Sequence, residues 1–561
     1  LLDLGWPVMD SATVQSCAYV LSRSSGSSPS DFVAFDRKLL EDKSAHLSRQ
    51  CRFEPGYREN TFIVQRDHIK CLPASKFLYN LPYKIIRLFT NTNKLSENLL
   101  AKQGMKSFDD FRFLRLRGEI SPRLIGFDGI WAPLSKGGPL AFFYSDLPLL
   151  IRWEHRGEQI AEVNRNLNGQ TAQARQASQY YKIPGGTYSR RCKDFGVRVL
   201  PAEFVIGEKG PAILSAKEDV SNLFLIGLLN SRLVNFLVNI QANAKQFDTG
   251  IVEGLPSTAF GSESIAQIEK LAALSIDANR SLSGRVEGDS LFISPYLADS
   301  IRMITIASNE EISKHEELLA NSLREIDQIV DSEFQVTSEH LKEISENSAY
   351  EKADLESVES SEDTVLEGFE FTKVTDSMAV ESICSYLIGT AVGLWNILYA
   401  TGKSKQPELP DPFAPLPVCP PGMLKNAQGL PASPTDVPAD YPLRVSWTGI
   451  LVDDKGHPED IAARVGEALT VIWGYQDGAI EQEACEILKV KSLRDYFSKP
   501  SQFFANHLKR YSKSRRKAPI YWPLSTESGS YTLWIYYHRL DKQTLFTCIS
   551  DFIDPKREEV G

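Results

Sequence analysis

Proline is concentrated in one short segment of this chain, where Pro407–Gly422 contains seven prolines in 16 positions. Each proline fixes its φ angle and lacks a backbone N–H, so this density excludes a regular helix and a central β-strand. The segment is therefore predicted to be a stiff, extended strap between domains. With 561 residues, the chain has room for roughly three to four domains with cores of their own.

Acidic residues are also unevenly distributed along the chain. The net charge is −10, but the 61 residues from Glu310 to Glu370 hold 19 acidic and four basic side chains. That block carries −15, so the other 500 residues carry +5, a balance compatible with binding to nucleic acid. Leucine and isoleucine recur there at helical spacing, which predicts an acidic helical spacer.

A cluster of cations near the C-terminus is the first candidate for such binding. Six cationic side chains fall within nine residues, enough to neutralise several phosphates. They are Lys509, Arg510, Lys513, Arg515, Arg516 and Lys517. Aromatic residues follow between Tyr521 and Tyr537, and such rings either stack on bases or fill a core. The simpler interpretation of the cations is a solvated helix end.

Further candidates lie in the central part of the chain, beside two pairs of glycines. Lys136 precedes Gly137 and Gly138 directly, and Lys182 lies just before a second pair. Glycine allows the backbone to approach a phosphate closely, so both lysines are candidate phosphate contacts. The other candidates for DNA contact are Tyr188, Arg190, Arg191 and Arg232.

The arginines among these candidates have more than one interpretation. The guanidinium groups of Arg190 and Arg191 match the paired acceptors of guanine in the major groove. The alternative is that they contact only phosphates or acidic neighbours. Arg232 lies in an apolar run, where a polar group needs a partner and capping a neighbouring loop is the simpler role.

That apolar run, Leu223–Ile240, is 18 residues long and contains several asparagines besides Arg232. Its polar interruptions predict one buried helix of a soluble protein rather than a membrane span. Eight cysteines are scattered without a C-x-x-C pair, which predicts reduced thiols, a cytoplasmic protein and no zinc site. The first residues, LLDLGWPVMD, lack an initiator methionine and an export signal, so we expect a piece of a longer polypeptide.

Several motifs of catalysis are not found in the sequence. It contains no G-x-G-x-x-G, no P-loop and no G-x-S-x-G, so neither dinucleotide binding nor nucleophilic hydrolysis can be argued. The acidic VDDKG at Val452–Gly456 superficially resembles part of a nuclease site, but a turn between a strand and a helix explains it better.

Long stretches of the chain resemble a known family. They are GGTYSRRCKDFGVRVLPAEFVIGEKGPAIL, GLLNSRLVNFLVNIQANAKQFDTGIVEGLP, EALTVIWGYQDGAIEQEACEILKVKSLRDYF and KRYSKSRRKAPIYWPLSTESGSYTLWIYYHRL. Together they are similar to the C-terminal half of the PglX-like adenine-specific DNA methyltransferases of BREX phage-exclusion systems. Close relatives occur in DISARM systems and among single-chain type IIG restriction-modification enzymes.

The resemblance implies a mixed α+β, multidomain fold with a division of labour. In this family an N-terminal Rossmann-like domain binds S-adenosylmethionine through a glycine-rich loop and holds the flipped adenine with an Asn-Pro-Pro-Tyr motif. Neither motif occurs in this sequence, and the consecutive prolines Pro420 and Pro421 lack the Asn and Tyr. The chain by itself is therefore expected to bind no S-adenosylmethionine and to be inactive.

The expected domains follow from the same resemblance and from the composition. Residues 1–126 would be the end of the methyltransferase domain and a connector, and residues 127–260 an α/β target-recognition domain. Residues 261–375 would be the acidic helical spacer and residues 376–440 a helix and the proline-rich strap. Residues 441–561 would form a basic and aromatic α+β C-terminal domain.

The function implied is recognition of double-stranded DNA for a site-specific adenine-N6 methyltransferase of a bacterial defence system. An upstream catalytic half, on the same or another chain, and other defence proteins would be its partners. The alternative is a non-enzymatic adaptor whose acidic helices or basic surface dock a protein of a defence complex. A parent that also cleaves DNA is a third possibility, for which the sequence offers no motif.

Overall fold

A computed structural model describes residues 81–560 except 82, 91–92, 243–244, 338–372, 500 and 514–515. It also describes the backbone of four short N-terminal strands, β1 (Leu2–Gly5), β2 (Ser16–Ala18), β3 (Ser30–Ala34) and β4 (Thr61–Val64). These strands form one sheet in the order β2-β1-β3-β4, in which β1 and β3 are parallel.

Further strands occur in the central and C-terminal parts. The central strands are β5 (Leu99–Lys102), β6 (Leu114–Leu116), β7 (Trp131–Ser135), β8 (Leu149–Arg152), β9 (Gly185–Tyr188), β10 (Val197–Leu200), β11 (Val205–Ile206) and β12 (Ala212–Ser215). The C-terminal strands are β13 (Ile450–Val452), β14 (Ser512–Lys513), β15 (Arg516–Lys517), β16 (Tyr521–Ser525) and β17 (Thr532–Tyr536).

Helices connect and cover these strands. Those up to the spacer are α1 (Tyr83–Leu88), α2 (Asp110–Phe113), α3 (Glu154–Asn168), α4 (Asn222–Leu229), α5 (Arg232–Asn239), α6 (Thr249–Glu253), α7 (Ser262–Ser283) and α8 (Ile301–Glu333). The later ones are α9 (Asp376–Ala391), α10 (Ile397–Ala400), α11 (Ile461–Trp473), α12 (Asp477–Leu488), α13 (Leu493–Ser498), α14 (Phe503–Arg510), α15 (Thr544–Thr547) and α16 (Asp554–Val560).

Two four-stranded sheets form the central part. The first central sheet has the order β10-β9-β12-β5 and the second central sheet has the order β11-β7-β8-β6. Strands β5 and β6 precede residue 127, and each forms an edge of one of these sheets by pairing with a strand that follows it in the chain. Such long-range pairing is not revealed by local composition. The chain is mixed α/β, as expected.

Three strands of the second central sheet point the same way. β11 is parallel to β7, while β8 is antiparallel to both β7 and β6. Pro133 and Arg115 pair with Leu150 from opposite sides, so β7 and β6 are in register. The segments that follow β7 and β6 therefore leave the sheet at the same end.

The apolar run Leu223–Ile240 forms two helices, α4 and α5, rather than the single predicted helix. They meet at Asn230 and Ser231, and the Ser231 hydroxyl accepts a hydrogen bond from the Val234 N–H and so caps α5. The Asn230 amide bonds both the N–H and the carbonyl of Val197 on edge strand β10, each at 2.8 Å. The Asn230 side chain thus provides hydrogen-bond partners for backbone groups at the edge of the sheet. The first helix ends at this residue.

Most of this helix pair is buried against the first central sheet and α7. Among the described helices, no single one has the length and hydrophobicity to cross a bilayer. The pair α4 and α5 reaches those values only when taken together, and its helices are bent by 66°.

The proline-rich strap runs across the cores of the molecule. Leu416 packs against the cores of both central sheets, and the buried Cys419 belongs to the core of the C-terminal part. Arginines bond its carbonyls: Arg117 Nη1 donates to Pro417 O at 2.8 Å, and Arg280 Nη2 donates to Pro410 O. Because proline offers no N–H, external donors of this kind satisfy a segment that cannot pair with itself.

The C-terminal sheet has the order β13-β17-β16 and is covered on both faces. One face packs on α14 and the helices around it, and the other packs on Cys548 and Phe552 of the last helical segment. Asp453 of the VDDKG sequence pairs with Arg494 at 2.8 Å, and Asp454 pairs with Lys556 at 2.8 Å. Both carboxylates of that turn therefore serve in structural ion pairs.

His507 on α14 is a buried polar residue in this C-terminal core. Its Nε2 accepts hydrogen bonds from the N–H groups of Ile520 at 2.9 Å and Tyr521 at 3.1 Å, so this nitrogen carries no proton. Burial, with the nearby Arg510 charge, lowers the pKa of His507 to about 3. The neutral imidazole therefore orients the first residues of β16.

We predict that His507 makes the folded state sensitive to acid. In the unfolded chain this histidine takes up a proton near pH 6.5, whereas in the fold it does so only near pH 3. The unfolded state thus binds more protons between these values, and stability falls as pH drops through that window. Its share of the loss is about 2 kcal/mol at pH 5.

Urea titrations at pH 7 and pH 5 measure this loss. The variant His507→Gln has no group that titrates there, so its stability should change less between the two pH values than that of the unmodified chain. An equal change in both proteins would show that His507 does not contribute.

Candidate nucleic-acid interface

A polar groove of about 720 Å³ lies at the end of the second central sheet. The parallel register pairs Val205 with Leu134 and Ile206 with Ser135, so the segments after β11 and β7 emerge side by side. The end of α3 and the start of α2 form the opposite wall. The polar side chains that line the groove are Lys106, Ser107, Asp110, Lys136, Asn168, Gln170, Gln173, Glu208 and Lys209.

Lys136, one of the predicted phosphate contacts, is held at the wall of this groove. Its ammonium pairs with the Asp110 carboxylate, and its side chain is only 19% exposed. Burial alone raises the pKa of Asp110, but the charge and hydrogen bond of Lys136 outweigh it and hold that pKa below the ordinary value. A ligand in the groove that contacts the Lys136 ammonium would therefore share it with the Asp110 carboxylate.

The glycines after Lys136 have a structural role in the groove. Gly137 has φ +48°, and a Cβ there would lie 2.7 Å from Lys209 O. On the other loop, a Cβ at Gly210 would lie 2.5 Å from Gly137 N. The two loops thus pack backbone against backbone, which brings Lys136 and Lys209 to the same groove. The sequence predicted that the backbone at this glycine pair approaches a phosphate. In the structure, the backbone at Gly137 approaches a neighbouring loop.

Arg190 is engaged by two carboxylates beside the groove. It contacts Asp248 at 2.8 Å and Glu208 at 3.1 Å, and Glu208 also pairs with Lys106 at 3.6 Å. All three guanidinium nitrogens of Arg190 therefore donate to carboxylates. Arg191, the next residue, is exposed, and none of the described side chains pairs with it. Of the two arginines, Arg191 is the one that presents a guanidinium to solvent.

Tyr188 lies in the interior rather than at the interface. Its side chain is 1% exposed, and its ring packs against Phe195 with centroids 5.1 Å apart. Burial raises the pKa of its hydroxyl. The ring is part of the core under the first central sheet and does not face solvent. Alternation along β9 could not predict this, because all four residues of that strand are buried.

The other two central candidates lie away from the groove. Lys182 is exposed, lies 3.5 Å from the Asp128 carboxylate and sits over the Phe127 ring at 4.9 Å. Arg232 at the start of α5 pairs with Asp331 of α8 at 2.7 Å, and its backbone N–H bonds Asp327 at 2.6 Å. Arg232 therefore ties α5 to the acidic helix.

Amide side chains in the groove were missed in the sequence analysis. Asn168, Gln170 and Gln173 are exposed and lie at and just beyond the end of α3. Amides can both donate to and accept from base edges, and Asn or Gln matches adenine in the major groove. The signal was available in the sequence, because residues 164–179 contain seven Asn or Gln residues without a matching apolar pattern.

The basic cluster near the C-terminus forms the end of α14 and a small hairpin of β14 and β15. Lys509 and Lys517 are exposed, whereas Arg510 lies 3.8 Å from the buried Glu287 carboxylate. Arg516 Nε donates to Glu119 at 2.6 Å. Lys513 lines a different cavity, described below, and Arg515 lies outside the described residues. Lys509 and Lys517 thus face solvent, whereas Arg510 and Arg516 form ion pairs that hold the C-terminal part in place.

Glu119 belongs to the segment that follows β6, so the hairpin is attached at the same end of the second central sheet as the groove. His538 reinforces the attachment through a 2.8 Å hydrogen bond between its Nε2 and Gly118 O. Gly118 and Lys136 each follow a strand that ends at this end of the sheet. The fold therefore gathers two cationic regions, far apart in sequence, along one end of one sheet.

The consecutive prolines Pro420 and Pro421 are not arranged as an adenine site of the family type. Pro421 is followed by Gly422, whose Cβ position would lie 2.0 Å from Ile293 O, and Asn396 N–H bonds the Gly422 carbonyl at 3.0 Å. This segment is packed as structural backbone and has no room to hold a base. Within the described part of the chain, no group of three or more His, Cys, Asp or Glu side chains could bind a metal.

We predict that Gly137 is needed for the two groove loops to pack. The substitution Gly137→Ala forces a left-handed alanine and a clash with Lys209 O, and should lower the free energy of unfolding by roughly 3 kcal/mol or more. The matched control is Gly402→Ala, where φ is +68° and nothing lies within 4 Å of the added Cβ. The control should lose about 1–2 kcal/mol from backbone strain alone. Equal losses in urea titrations would contradict the role of the loop contact.

Comparison with known proteins supplies the family context. No protein-family model matches the chain. It is 23% identical over 555 residues to the adenine-specific methyltransferase BrxX of Escherichia coli O9:H4 (strain HS), an alignment that covers 92% of this chain and 41% of BrxX. It is 21% identical over 606 residues to the adenine-specific methyltransferase PglX of Lacticaseibacillus casei (strain Zhang), covering 99% of this chain and 45% of PglX.

The chain thus spans less than half the length of these curated relatives. The two alignments confirm the resemblance that the sequence motifs indicated. Over nearly its whole length, this chain is a homologue of the adenine-specific methyltransferases BrxX and PglX.

Proposed function

We propose that this chain is the DNA-recognition portion of a site-specific adenine-N6 DNA methyltransferase of a bacterial phage-defence system of the BREX or DISARM type. The observation that carries the proposal is the polar groove at the end of the second central sheet. It combines lysines with solvent-facing amides, in a chain homologous to adenine-specific methyltransferases.

The two kinds of side chain have separate roles in this proposal. Lys106 and Lys209 in the groove, with Lys509 and Lys517 of the basic cluster, contact phosphates and set the position of the duplex. Phosphate contacts are sequence-independent, so they hold any DNA. Asn168, Gln170 and Gln173, together with the exposed Arg191, contact base edges in the major groove and supply the sequence preference.

Ion pairs keep the groove ordered before DNA arrives. Lys106 and Arg190 share Glu208, and Lys136 is paired with Asp110. Such pairs near a surface are individually weak, so a phosphate can replace a carboxylate at modest cost. We infer that duplex binding exchanges some of these internal partners for phosphates.

The chemistry of methyl transfer belongs, in this proposal, to a region not contained in this chain. S-adenosylmethionine supplies the methyl group, and a catalytic region of the parent protein would bind it together with the flipped adenine. This chain would choose the DNA site and present the duplex. Alone it should have no methyltransferase activity, and cytoplasmic location follows from access to chromosomal and phage DNA.

We predict duplex binding with a steep dependence on salt, in which the groove lysines take part. Replacing Lys106 and Lys209 together by Gln should reduce the slope of log K against log[salt] by about 2, since each lost phosphate contact removes about 0.9. Fluorescence anisotropy with a labelled duplex at several salt concentrations measures this slope.

The matched control replaces Lys270 and Lys403 by Gln, which removes the same charge from exposed positions outside the groove. This control should retain the original slope. If both double variants lose the same slope, the effect is one of total charge and the groove is not the binding site. If the unmodified chain shows no salt-dependent duplex binding, the proposed function itself fails.

We also predict that the amides determine sequence preference. Selection of bound duplexes from a random library should yield an enriched site for the unmodified chain. The variant Gln173→Ala should relax one or two positions of that site, by about 1–3 kcal/mol of discrimination for each lost bidentate contact. Its affinity for unrelated duplexes should stay the same. An unchanged site after replacement of Asn168, Gln170 and Gln173 together would exclude base reading by these amides.

A further inference from the structure

A second cavity lies where the central and C-terminal parts meet, and the proposed function does not use it. Its volume is about 210 Å³. The segment after β6, the loop after α7, the loop after α9, the strap and the basic hairpin all contribute to its wall. With Pro148, Pro431–Ser433 and the segment of Arg539, which also line it, separate stretches of the chain converge on one small space.

The wall of this cavity is strongly cationic. Among the described residues that line it, the cations are Arg117, Arg123, Arg510, Lys513 and Arg539, and the single carboxylate is Asp289. Burial and the nearby Asp146 carboxylate raise the pKa of Asp289 well above its ordinary range. The balance of charge therefore favours an anion.

The cations differ in how far they are already engaged. Arg510 has Glu287 as a partner at 3.8 Å, and Arg539 lies over the Trp447 ring at 4.9 Å. Arg117 donates to the strap through Nη1, but its Nε is buried without a hydrogen-bond partner among the described residues. Arg123 is exposed at the mouth of the cavity. Arg123 thus offers donors to a ligand at the mouth.

The inner wall is apolar and aromatic. Trp395 and Tyr511 are buried, and both donate hydrogen bonds to the Glu287 carboxylate, at 3.2 Å and 2.9 Å. The bonds to Glu287 therefore fix the position of both aromatic side chains, which line the cavity. The volume lies below the ~300–1,000 Å³ typical of sites for drug-sized ligands, so the enclosed space takes only part of such a ligand and the rest stays at the mouth.

We propose that this cavity binds a small phosphate monoester with a flat apolar group, of the size of a nucleoside monophosphate. The phosphate lies at the mouth, against Arg123 and Lys513. The flat group lies inward, against Trp395 and Tyr511. Because the contributing segments come from both parts of the molecule, an occupied cavity stabilises their contact. The proposal does not depend on whether the groove binds DNA.

Isothermal titration of the 561-residue chain with AMP, inorganic phosphate and adenosine tests the proposal. AMP should bind more tightly than either of the other two probes, because only AMP offers both the anion and the flat group. The double variant Arg123→Gln with Lys513→Gln should weaken AMP binding by at least about tenfold, since charge-assisted hydrogen bonds to the phosphate are lost. The variant Lys270→Gln with Lys403→Gln should bind AMP like the unmodified chain.

Three outcomes would overturn the proposal. One is the absence of AMP binding at millimolar concentration, and another is equal binding of AMP and inorganic phosphate, which would mean a simple anion site. The third is displacement of AMP by duplex DNA, which would make the cavity part of a nucleic-acid surface. Circular dichroism and a thermal melt of the double variant establish that it folds, so that a loss of AMP binding reports on the site.

Discussion

The buried carboxylate of Glu287 is the interaction on which the arrangement of the molecule depends. It accepts hydrogen bonds from the Trp395 indole and the Tyr511 hydroxyl and lies beside the Arg510 guanidinium. An unpaired carboxylate in this interior would be strongly unfavourable, so its partners must be in place together. Since these partners come from the loop after α9 and the end of α14, one charge ties the C-terminal part to the loop after α7.

This attachment sets the position of the basic hairpin. With Tyr511 and Arg510 fixed against Glu287, the hairpin reaches the segment after β6, where Arg516 pairs with Glu119. Because β6 and β7 run in the same direction, that segment lies at the same end of the second central sheet as the groove after β7. The candidate interface therefore depends on two things: a buried carboxylate that orients the tail and parallel strand ends that align the loops.

Several features of the fold could be predicted from the sequence because they are local. The strap is irregular because proline cannot make the backbone bonds of a helix or sheet, and α8 is helical because its apolar residues recur at helical spacing. The family could also be predicted, since its motifs are contiguous stretches, and the two homologues confirm it. The assignment of DNA-binding residues and domain functions remains a prediction.

Other features were decided by contacts distant in sequence. Nothing near Tyr188 indicated that β9 is buried along its whole length, or that Arg190 would find Asp248 and Glu208 as partners. The sequence around Gly137 suggested a turn that approaches a phosphate. In the structure, its neighbour is the loop that contains Lys209, 72 positions later in the chain.

The sequence by itself determined which segments are stiff, helical or charged, and which family the chain resembles, because these properties reside in neighbouring residues. Only the tertiary structure decided which cations face solvent and which are bound by carboxylates. The physical reason is that the exposure and pairing of a charge depend on what the folded chain places beside it. The strap illustrates both contributions. Its prolines exclude regular secondary structure, while hydrogen bonds from Arg117 and Arg280 fix its position in the fold.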